Sequence, residues 1–214
     1  MANFTIKTTP IAEGPIILRP AELGLSRDYI YDLASSEVLE ATEHPAPFVE
    51  QTTERYARGV MHGLHFQSKG SYAKLVTVTN GRILAVAVDL RPESKSFGAS
   101  HSVELTLENE AMFYIPPYFA FGFLTLEAKT EVLVSCAAPY DANAESGIIY
   151  DDEVLAIDWQ FERYDIDEKR LSITQRDRNR PCFRSYNPNA LWIGRPKKSK
   201  YALTKKFVYE KEPR

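Results

Sequence analysis

Between residues 71 and 138, short runs of β-branched and aromatic residues alternate with turn residues. Runs of this kind, bounded by turns, are typical of strands, and several at close spacing predict a β-sandwich or barrel. The predicted strands are 73–79, 82–89, 102–107, 111–115, 119–126 and 131–137. The turns between them include Glu108-Asn109-Glu110 and Pro116-Pro117. The pattern therefore predicts an all-β protein.

The hydrophobic pattern is weaker on both sides of this central region. Residues 16–19 and 29–32 are candidates for two further strands. After Trp159 the chain becomes more charged, and residues 165–170 and 176–180 permit short helices. The segment 195–206 is basic, which is typical of a solvated terminal extension; a patch for phosphate or an acidic partner is the alternative.

One turn allows a prediction about neighbouring side chains. Asn80-Gly81 between two strands is a strong signal for a two-residue hairpin. In such a hairpin Lys74 lies opposite Ala87, and alternation adds Asp89 to the same face. A lysine and an aspartate beside small alanines indicate either a site or a surface ion pair. The opposite face would hold Leu75, Leu84, Val86 and Val88.

Composition restricts the classes of function. The chain has 214 residues, 44% of them hydrophobic, so it can build a large core, and its net charge of -3 argues against a general nucleic-acid binder. Cys136 and Cys182 form no CxxC pair, which favours a reducing compartment. We expect a cytoplasmic protein without a membrane partner. The start of the chain has no signal-like apolar segment, and the longest apolar stretch is too short to cross a bilayer.

Two of the four histidines, His62 and His65, lie three residues apart directly before a predicted strand. Histidine takes and gives protons near neutral pH, so this pair indicates either an active site or two polar loop residues. A catalytic metal site normally needs three protein ligands, and neither His44 nor His101 follows in a matching spacing. No glycine-rich phosphate loop is present. We therefore expect no metal and no cofactor.

The segment from Arg58 to Gln67, RGVMHGLHFQ, resembles the RGVLRGLHxQ motif of dTDP-4-dehydrorhamnose 3,5-epimerases. The similarity continues in the same order over about residues 15–182, through 86–91, 115–123 and 171–181. It implies an all-β, cupin-like double-stranded β-helix (a jelly-roll barrel) with a few short C-terminal helices. It also implies a metal-independent homodimer with strand exchange near the N-terminus. Residues 1–182 would form one epimerase-type domain, and 183–214 a basic C-terminal extension.

The resemblance implies roles for individual residues as well. In a nucleotide-linked 4-keto-6-deoxyhexose the carbonyl acidifies the protons on C3 and C5. His65 matches the family's base, Asp177 the carboxylate that orients it, and Lys74 the cation that stabilises the enolate oxygen. The expected partner is a nucleotide-diphosphate sugar. Its predicted contacts are Arg27, His62, Gln67, Asp89, Tyr140 and Glu145.

The chain also departs from the family pattern at positions that matter for chemistry. The family's catalytic tyrosine is replaced by Val134, a family histidine by Phe121, and the arginine before Gly-Leu-His by His62. Three explanations follow. The protein is an epimerase that inverts one centre, or that uses water or another phenol as its acid; it is a related enzyme for a different nucleotide sugar; or it is a barrel that binds without catalysis. The candidate phenols are Tyr72, Tyr118 and Tyr140.

Retention of His65, Lys74 and Asp177 together favours an enzyme, because a pure binder needs no base, orienting carboxylate or oxyanion partner. We therefore predict an epimerase acting at C3, C5 or both, in deoxysugar or surface-polysaccharide biosynthesis.

Overall fold

The computed structural model describes residues 4–20, 42 and 47–186, and nearly all of its regular structure is antiparallel β-sheet. The strands are β1 (Phe4–Thr8), β2 (Ile16–Pro20), β3 (Glu50–Tyr56), β4 (Met61–Gln67), β5 (Lys74–Asn80), β6 (Arg82–Asp89), β7 (Ser100–Thr106), β8 (Met112–Ile115), β9 (Phe119–Thr125), β10 (Thr130–Cys136) and β11 (Glu145–Gly147). One short α-helix, α1 (Gln175–Arg178), and two 3₁₀ turns, Glu168–Arg170 and Phe183–Ser185, follow. The all-β prediction and the central strands are confirmed. The proposed strand at 29–32 lies outside the described residues.

The strands form two sheets that face each other. One has six strands in the order β1-β2-β8-β5-β10-β3, and the other has five in the order β11-β4-β9-β6-β7. Alternate side chains of both sheets meet in a shared interior core that contains Val76, Ala87, Phe113, Phe121 and Val132. The space between the two sheets is therefore the candidate location for a ligand.

The predicted hairpin at Asn80-Gly81 is wrong. β5 pairs with β8 and β10, whereas β6 pairs with β7 and β9, so the turn joins the two sheets. Gly81 has a φ of +76°, and an added Cβ would lie 2.5 Å from Thr130 Oγ1, so this corner needs glycine. An Asn-Gly pair fits a hairpin turn within one sheet and also a connection between two sheets, so the sequence alone does not distinguish them. Lys74 therefore lies opposite Cys136 and Ile115, not Ala87.

The predicted division of faces survives this correction. Val76, two residues after Lys74, and Ala87 both contribute to the interior core, although from opposite sheets. The other face of β6, with Leu84, Val86 and Val88, belongs to a separate core outside the barrel. Alternation was therefore a better guide than strand pairing.

The chain after residue 148 covers the outer face of the five-stranded sheet. Leu155, Trp159 and Leu171 pack there against β4 and β6 residues. Ser172 forms a bridge with Val60 just before β4, with the Met61 amide donating to the Ser172 carbonyl at 3.0 Å. This attachment fixes α1 beside β4. No helix among the described residues has the length and apolar character needed to cross a membrane.

The start of the predicted C-terminal extension also lies on this outer core. Phe183 and Tyr186 pack against it, and the Tyr186 hydroxyl donates to the Leu90 carbonyl at 3.1 Å. The proposed boundary at residue 182 stays a prediction.

The surroundings of Asp89 argue against its predicted contact with substrate. Its side chain is fully buried, and both carboxylate oxygens already accept hydrogen bonds from within the chain. Arg91 donates to both oxygens at 2.8–2.9 Å, and Ser94 and Ser96 donate to Oδ2 at 2.7 and 2.8 Å. Although burial raises the pKa of Asp89, these donors lower it below the ordinary value. The carboxylate therefore fixes the loop after β6.

We expect Asp89→Asn to lower the free energy of unfolding by about 3–5 kcal/mol, because breaking a buried ion pair leaves the partner charge uncompensated. Urea denaturation at pH 7 measures this loss. Glu131→Gln, which breaks the exposed pair with Arg55, is the matched control and should cost less than about 1 kcal/mol. Equal losses in the two variants would contradict the structural role of Asp89.

Candidate active site

The histidine pair lies on β4, with both rings on the same side of the strand. Residues three apart in a regular strand point to opposite faces. Here the pairing of β4 with β9 shifts register between His62 and His65, and the two ring centroids lie only 4.7 Å apart. Gly63 permits this irregularity: its φ is +93°, and an added Cβ would lie 2.6 Å from the Phe121 carbonyl oxygen. The Gly-Leu-His sequence thus shapes the site.

His65 and Asp177 form a close pair although 112 residues separate them. The distance from His65 Nε2 to Asp177 Oδ1 is 2.5 Å. Asp177 is nearly buried, with 3% of its side chain exposed, whereas His65 retains 19%. The Asp177 carboxylate can only accept, so Nε2–H of His65 donates and Nδ1 keeps its lone pair. The pair is therefore an oriented base with one nitrogen free to take a proton.

Local structure holds the Asp177 carboxylate in place. Thr174 is the N-cap of α1, and its hydroxyl accepts a hydrogen bond from the Asp177 amide at 3.1 Å. Burial alone would raise the pKa of Asp177, but the His65 hydrogen bond and charge, together with Thr174, lower it to about 2. Asp177 is therefore ionised throughout the neutral range, which suits a carboxylate that stabilises an imidazolium.

Lys74 begins β5 on the opposite sheet, between Cys136 and Ile115. Burial lowers the pKa of Lys74, and the neighbouring Cys136 and Glu145 oppose that shift. The charge of Lys74 acts on His62, while Glu145 lies on β11, the strand paired with β4, and interacts electrostatically with His65. Among the described residues, no carboxylate lies within ion-pair distance of the Lys74 ammonium. Within the part of the chain that the structure describes, the ammonium therefore has no ion-pair partner; its charged group lies 5.7 Å from the centroid of the Tyr72 ring.

His62 does not carry the charge of the arginine that it replaces. Its ring stacks on Phe123 at 4.9 Å between centroids, and its Nδ1 lies 3.5 Å from the Tyr56 hydroxyl oxygen. Burial, followed by the charge of His65, lowers the pKa of His62 to about 4. His62 is thus neutral at pH 7 and cannot attract a diphosphate by charge. The contact of His62 with substrate stays a prediction, and a neutral imidazole would make it.

This shift makes stability depend on pH. The unfolded chain binds a proton at His62 below its ordinary pKa of 6.5, whereas the folded protein does not until about pH 4. Stability therefore falls as the pH drops from 6.5 to 4, and the His62 contribution between pH 7 and 5 is about 2 kcal/mol. Urea denaturation at pH 7 and at pH 5 measures how far the free energy of unfolding drops between them. We expect this drop to be about 2 kcal/mol smaller in His62→Gln than in the unsubstituted protein. Parallel losses would contradict the neutral assignment.

Glu145 lies at the centre of a charged cluster beside the base. It accepts from Arg180 and from the Tyr140 hydroxyl, and it pairs with Arg176 at 3.0 Å. Arg180 also lies 3.5 Å from Asp177 Oδ1, so one guanidinium joins the two carboxylates. Arg176 and Arg180 were not among the site residues predicted from the sequence. They could have been found from their positions relative to Asp177, since Arg176 directly precedes it and Arg180 follows it at the i, i+3 spacing of ion pairs.

The remaining predicted positions are distributed unevenly. Gln67 is buried and shares the face of His65, two residues further along β4. Arg27 lies outside the described residues. Val134 faces the interior core from β10. Tyr118 packs instead against the core outside the barrel, which separates it from the histidines.

Fold and site together define a class: a two-sheet β-barrel in which a histidine bonded to a buried carboxylate lies on one sheet and a lysine on the other, an arrangement suited to proton abstraction next to a carbonyl. The model of the family dTDP-4-dehydrorhamnose 3,5-epimerase matches residues 9–185. The chain belongs to this family. The predicted class, a nucleotide-sugar epimerase, is thereby confirmed.

Individual relatives agree. The chain is 36% identical over 179 residues to the dTDP-4-dehydrorhamnose 3,5-epimerase of Methanothermobacter thermautotrophicus, covering 84% of this chain and 94% of the relative. It is 38% identical over 150 residues to the enzyme of that name from Escherichia coli, covering 69% and 80%. A crystal structure of dTDP-6-deoxy-D-glucose-3,5-epimerase from Legionella pneumophila, in complex with dTDP-4-keto-L-rhamnose, is similar with a TM-score of 0.79, 32% identity, and coverage of 88% and 97%. The shared fold confirms the predicted cupin-like barrel.

Proposed function

We propose that this protein inverts C3, C5 or both in a nucleotide-linked 4-keto-6-deoxyhexose, with His65 as the base, Asp177 as its orienting partner and Lys74 as the oxyanion stabiliser. The observation that carries the proposal is the 2.5 Å contact between His65 and a buried Asp177, placed on the interior that Lys74 enters from the other sheet. Family membership supports a dTDP-linked sugar as the first substrate to test.

The proposed reaction begins at His65 Nδ1, which removes the proton from a carbon next to the C4 carbonyl. The electron pair of the broken C–H bond forms the enolate, and negative charge develops on the C4 oxygen. Lys74 supplies an ammonium already oriented toward that oxygen. This cation stabilises the developing negative charge and so lowers the barrier to proton removal. Asp177 stabilises the resulting imidazolium without taking its proton. Return of a proton to the opposite face completes the inversion.

The cluster around Glu145 is the proposed recognition site for the nucleotide part. Tyr140 and Arg176 are both about half exposed; Tyr140 presents a ring on which a base can stack, and Arg176 presents a guanidinium. Arg176 then carries the attraction for diphosphate that a neutral His62 does not provide. Gln67 and Arg27 remain proposed contacts as well.

The test is deuterium uptake from heavy water into dTDP-4-keto-6-deoxyglucose, followed by proton NMR. The proposal predicts uptake at C3, C5 or both, with inversion at the same carbons; uptake at one carbon defines a single-centre enzyme. The CDP-, GDP- and UDP-linked sugars complete the panel, since the altered positions bear on nucleotide recognition. Binding without uptake across the whole panel would replace the proposal by a non-catalytic barrel. Thermal shifts with the four nucleoside diphosphates identify the bound nucleotide.

We further propose that the protein acts in the cytoplasm as a homodimer. β1 is an edge strand of the six-stranded sheet, and Ile6 on it is half exposed. An edge strand leaves backbone groups free to pair with a second chain. Light scattering after size exclusion should give twice the mass of one chain; a monomer at micromolar concentration would contradict the dimer.

A further inference from the structure

The proposed mechanism leaves one role unfilled. Inversion requires a proton donor on the face of the sugar opposite to His65, and the residue that resemblance assigns to this role is Val134 here. Val134 lies on β10, between Thr52 of β3 and Val76 of β5, and packs against the interior core. Its side chain has no acidic proton, so another group must provide one.

The chemistry restricts where that group can lie. C3 and C5 are both bonded to the carbonyl carbon whose oxygen Lys74 holds, so the donor must be close to Lys74. His65 acts from the five-stranded sheet, and the donor must act from the other side of the sugar. It therefore belongs on the interior face of the six-stranded sheet, near the start of β5 or the end of β10.

Tyr72 occupies this region. It lies two residues before Lys74, the first residue of β5, is half-buried, and its ring centroid lies 5.7 Å from the Lys74 ammonium. Cys136, an electrostatic neighbour of Tyr72, pairs with Lys74 and lies two residues beyond Val134 on the same face of β10. We propose that Tyr72 is the proton donor of this enzyme, an assignment that rests on the proposed epimerase function.

Two other phenols near the site hold their protons differently. The Tyr56 hydroxyl donates to the Glu54 carboxylate and lies beside His62, next to the base. The Tyr140 hydroxyl donates to the Glu145 carboxylate at the exposed cluster. Among the described residues no carboxylate accepts a hydrogen bond from Tyr72, so its proton is the one of the three that transfers without breaking a charge-assisted hydrogen bond. Burial, followed by Cys136, raises the pKa of Tyr72, which keeps the phenol protonated before the reaction.

The step balances without a further reactant. When the enolate collapses, the electron pair on oxygen re-forms the C4 carbonyl, and the carbon–carbon π pair takes the proton from the Tyr72 hydroxyl. A new C–H bond forms on the face opposite to the broken one. Tyr72 is left as a phenolate and His65 as an imidazolium. After product release, His65 gives its proton to water and Tyr72 takes one from water, which restores the neutral pair.

The test separates proton removal from inversion. In heavy water, with the substrate that the unsubstituted protein turns over, we expect Tyr72→Phe to lose inversion by about 10²–10⁴-fold, the usual contribution of a general acid. Deuterium exchange with retention of configuration should persist within about tenfold, because His65 still removes the proton and can return one to the same face. A residue with only a structural role would lower both rates together.

Three further variants make the result decisive. Tyr164→Phe, whose hydroxyl bonds Glu104 outside the interior, is the matched control and should keep both rates. Adding Val134→Tyr to Tyr72→Phe should restore inversion at least tenfold, because it returns a phenol to the same face. Tyr72→Met is expected to behave like Tyr72→Phe and replaces it if that protein does not fold.

The outcomes also separate this assignment from the proposed function. No exchange and no inversion by the unsubstituted protein would overturn the proposed function itself. An active protein whose Tyr72→Phe variant inverts at the unsubstituted rate, or loses exchange and inversion equally, overturns only the assignment of Tyr72. Loss of inversion in Tyr56→Phe, with inversion kept in Tyr72→Phe, would transfer the role to Tyr56.

Discussion

We expect the His65→Ala protein to lose deuterium exchange at C3 and C5 by about 10²–10⁴-fold while keeping its fold. The reason is geometric. His65 Nε2–H is engaged by Asp177 at 2.5 Å, so Nδ1 is the nitrogen left for proton transfer, and the described residues place no second imidazole beside such an orienting carboxylate. His62 is neutral, and no carboxylate of the described residues bonds its ring.

The fold should survive because Asp177 keeps other partners. Thr174 still accepts from its amide, and Arg180 Nε remains 3.5 Å from its carboxylate. Circular dichroism and the melting temperature check this point. His101→Ala, a histidine on β7 without a place in the proposed mechanism, is the matched control and should keep exchange within about twofold of the unsubstituted rate. Exchange that persists unchanged in His65→Ala would mean that another group is the base.

The strands of the barrel were predictable because their sequence pattern is local. β5, β6 and β9 were predicted to within two residues, since β-branched and aromatic runs between turn residues define them. The pairing of β5 with β6 was not, because Asn80-Gly81 fits a hairpin and a corner between sheets equally well. What decides between them is the burial of both faces of β6 by other parts of the chain.

The chemistry of the site was less accessible from local sequence. His65 and Asp177 meet only because residues after 148 fold back over the outer face of the five-stranded sheet and attach beside Val60. No spacing rule connects residues so distant, and the resemblance to a family supplied the pair. The neutrality of His62 and the internal bonding of Asp89 depend on burial and on neighbours from other strands. Neither property is visible in a residue's type.

Lys74→Met is expected to lower turnover by about 10²–10³-fold, the usual loss when one donor to a developing oxyanion is removed. The loss should appear mainly in kcat, because the oxygen bears full negative charge only after proton removal. Lys95→Met, which removes an exposed lysine, is the matched control and should leave kcat unchanged. Steady-state kinetics at pH 7 with the dTDP-linked sugar measures both variants.

The same substitution should leave the protein at least as stable as before. Burial lowers the pKa of Lys74, which means that the folded protein holds this ammonium less favourably than water does, and Met fills a similar volume without a charge. Activity and stability should therefore move in opposite directions, as expected where a site is built at the expense of stability. A Lys74→Met protein that unfolds more easily and binds substrate poorly, with kcat retained, would show that Lys74 supports the barrel and the diphosphate and not the enolate.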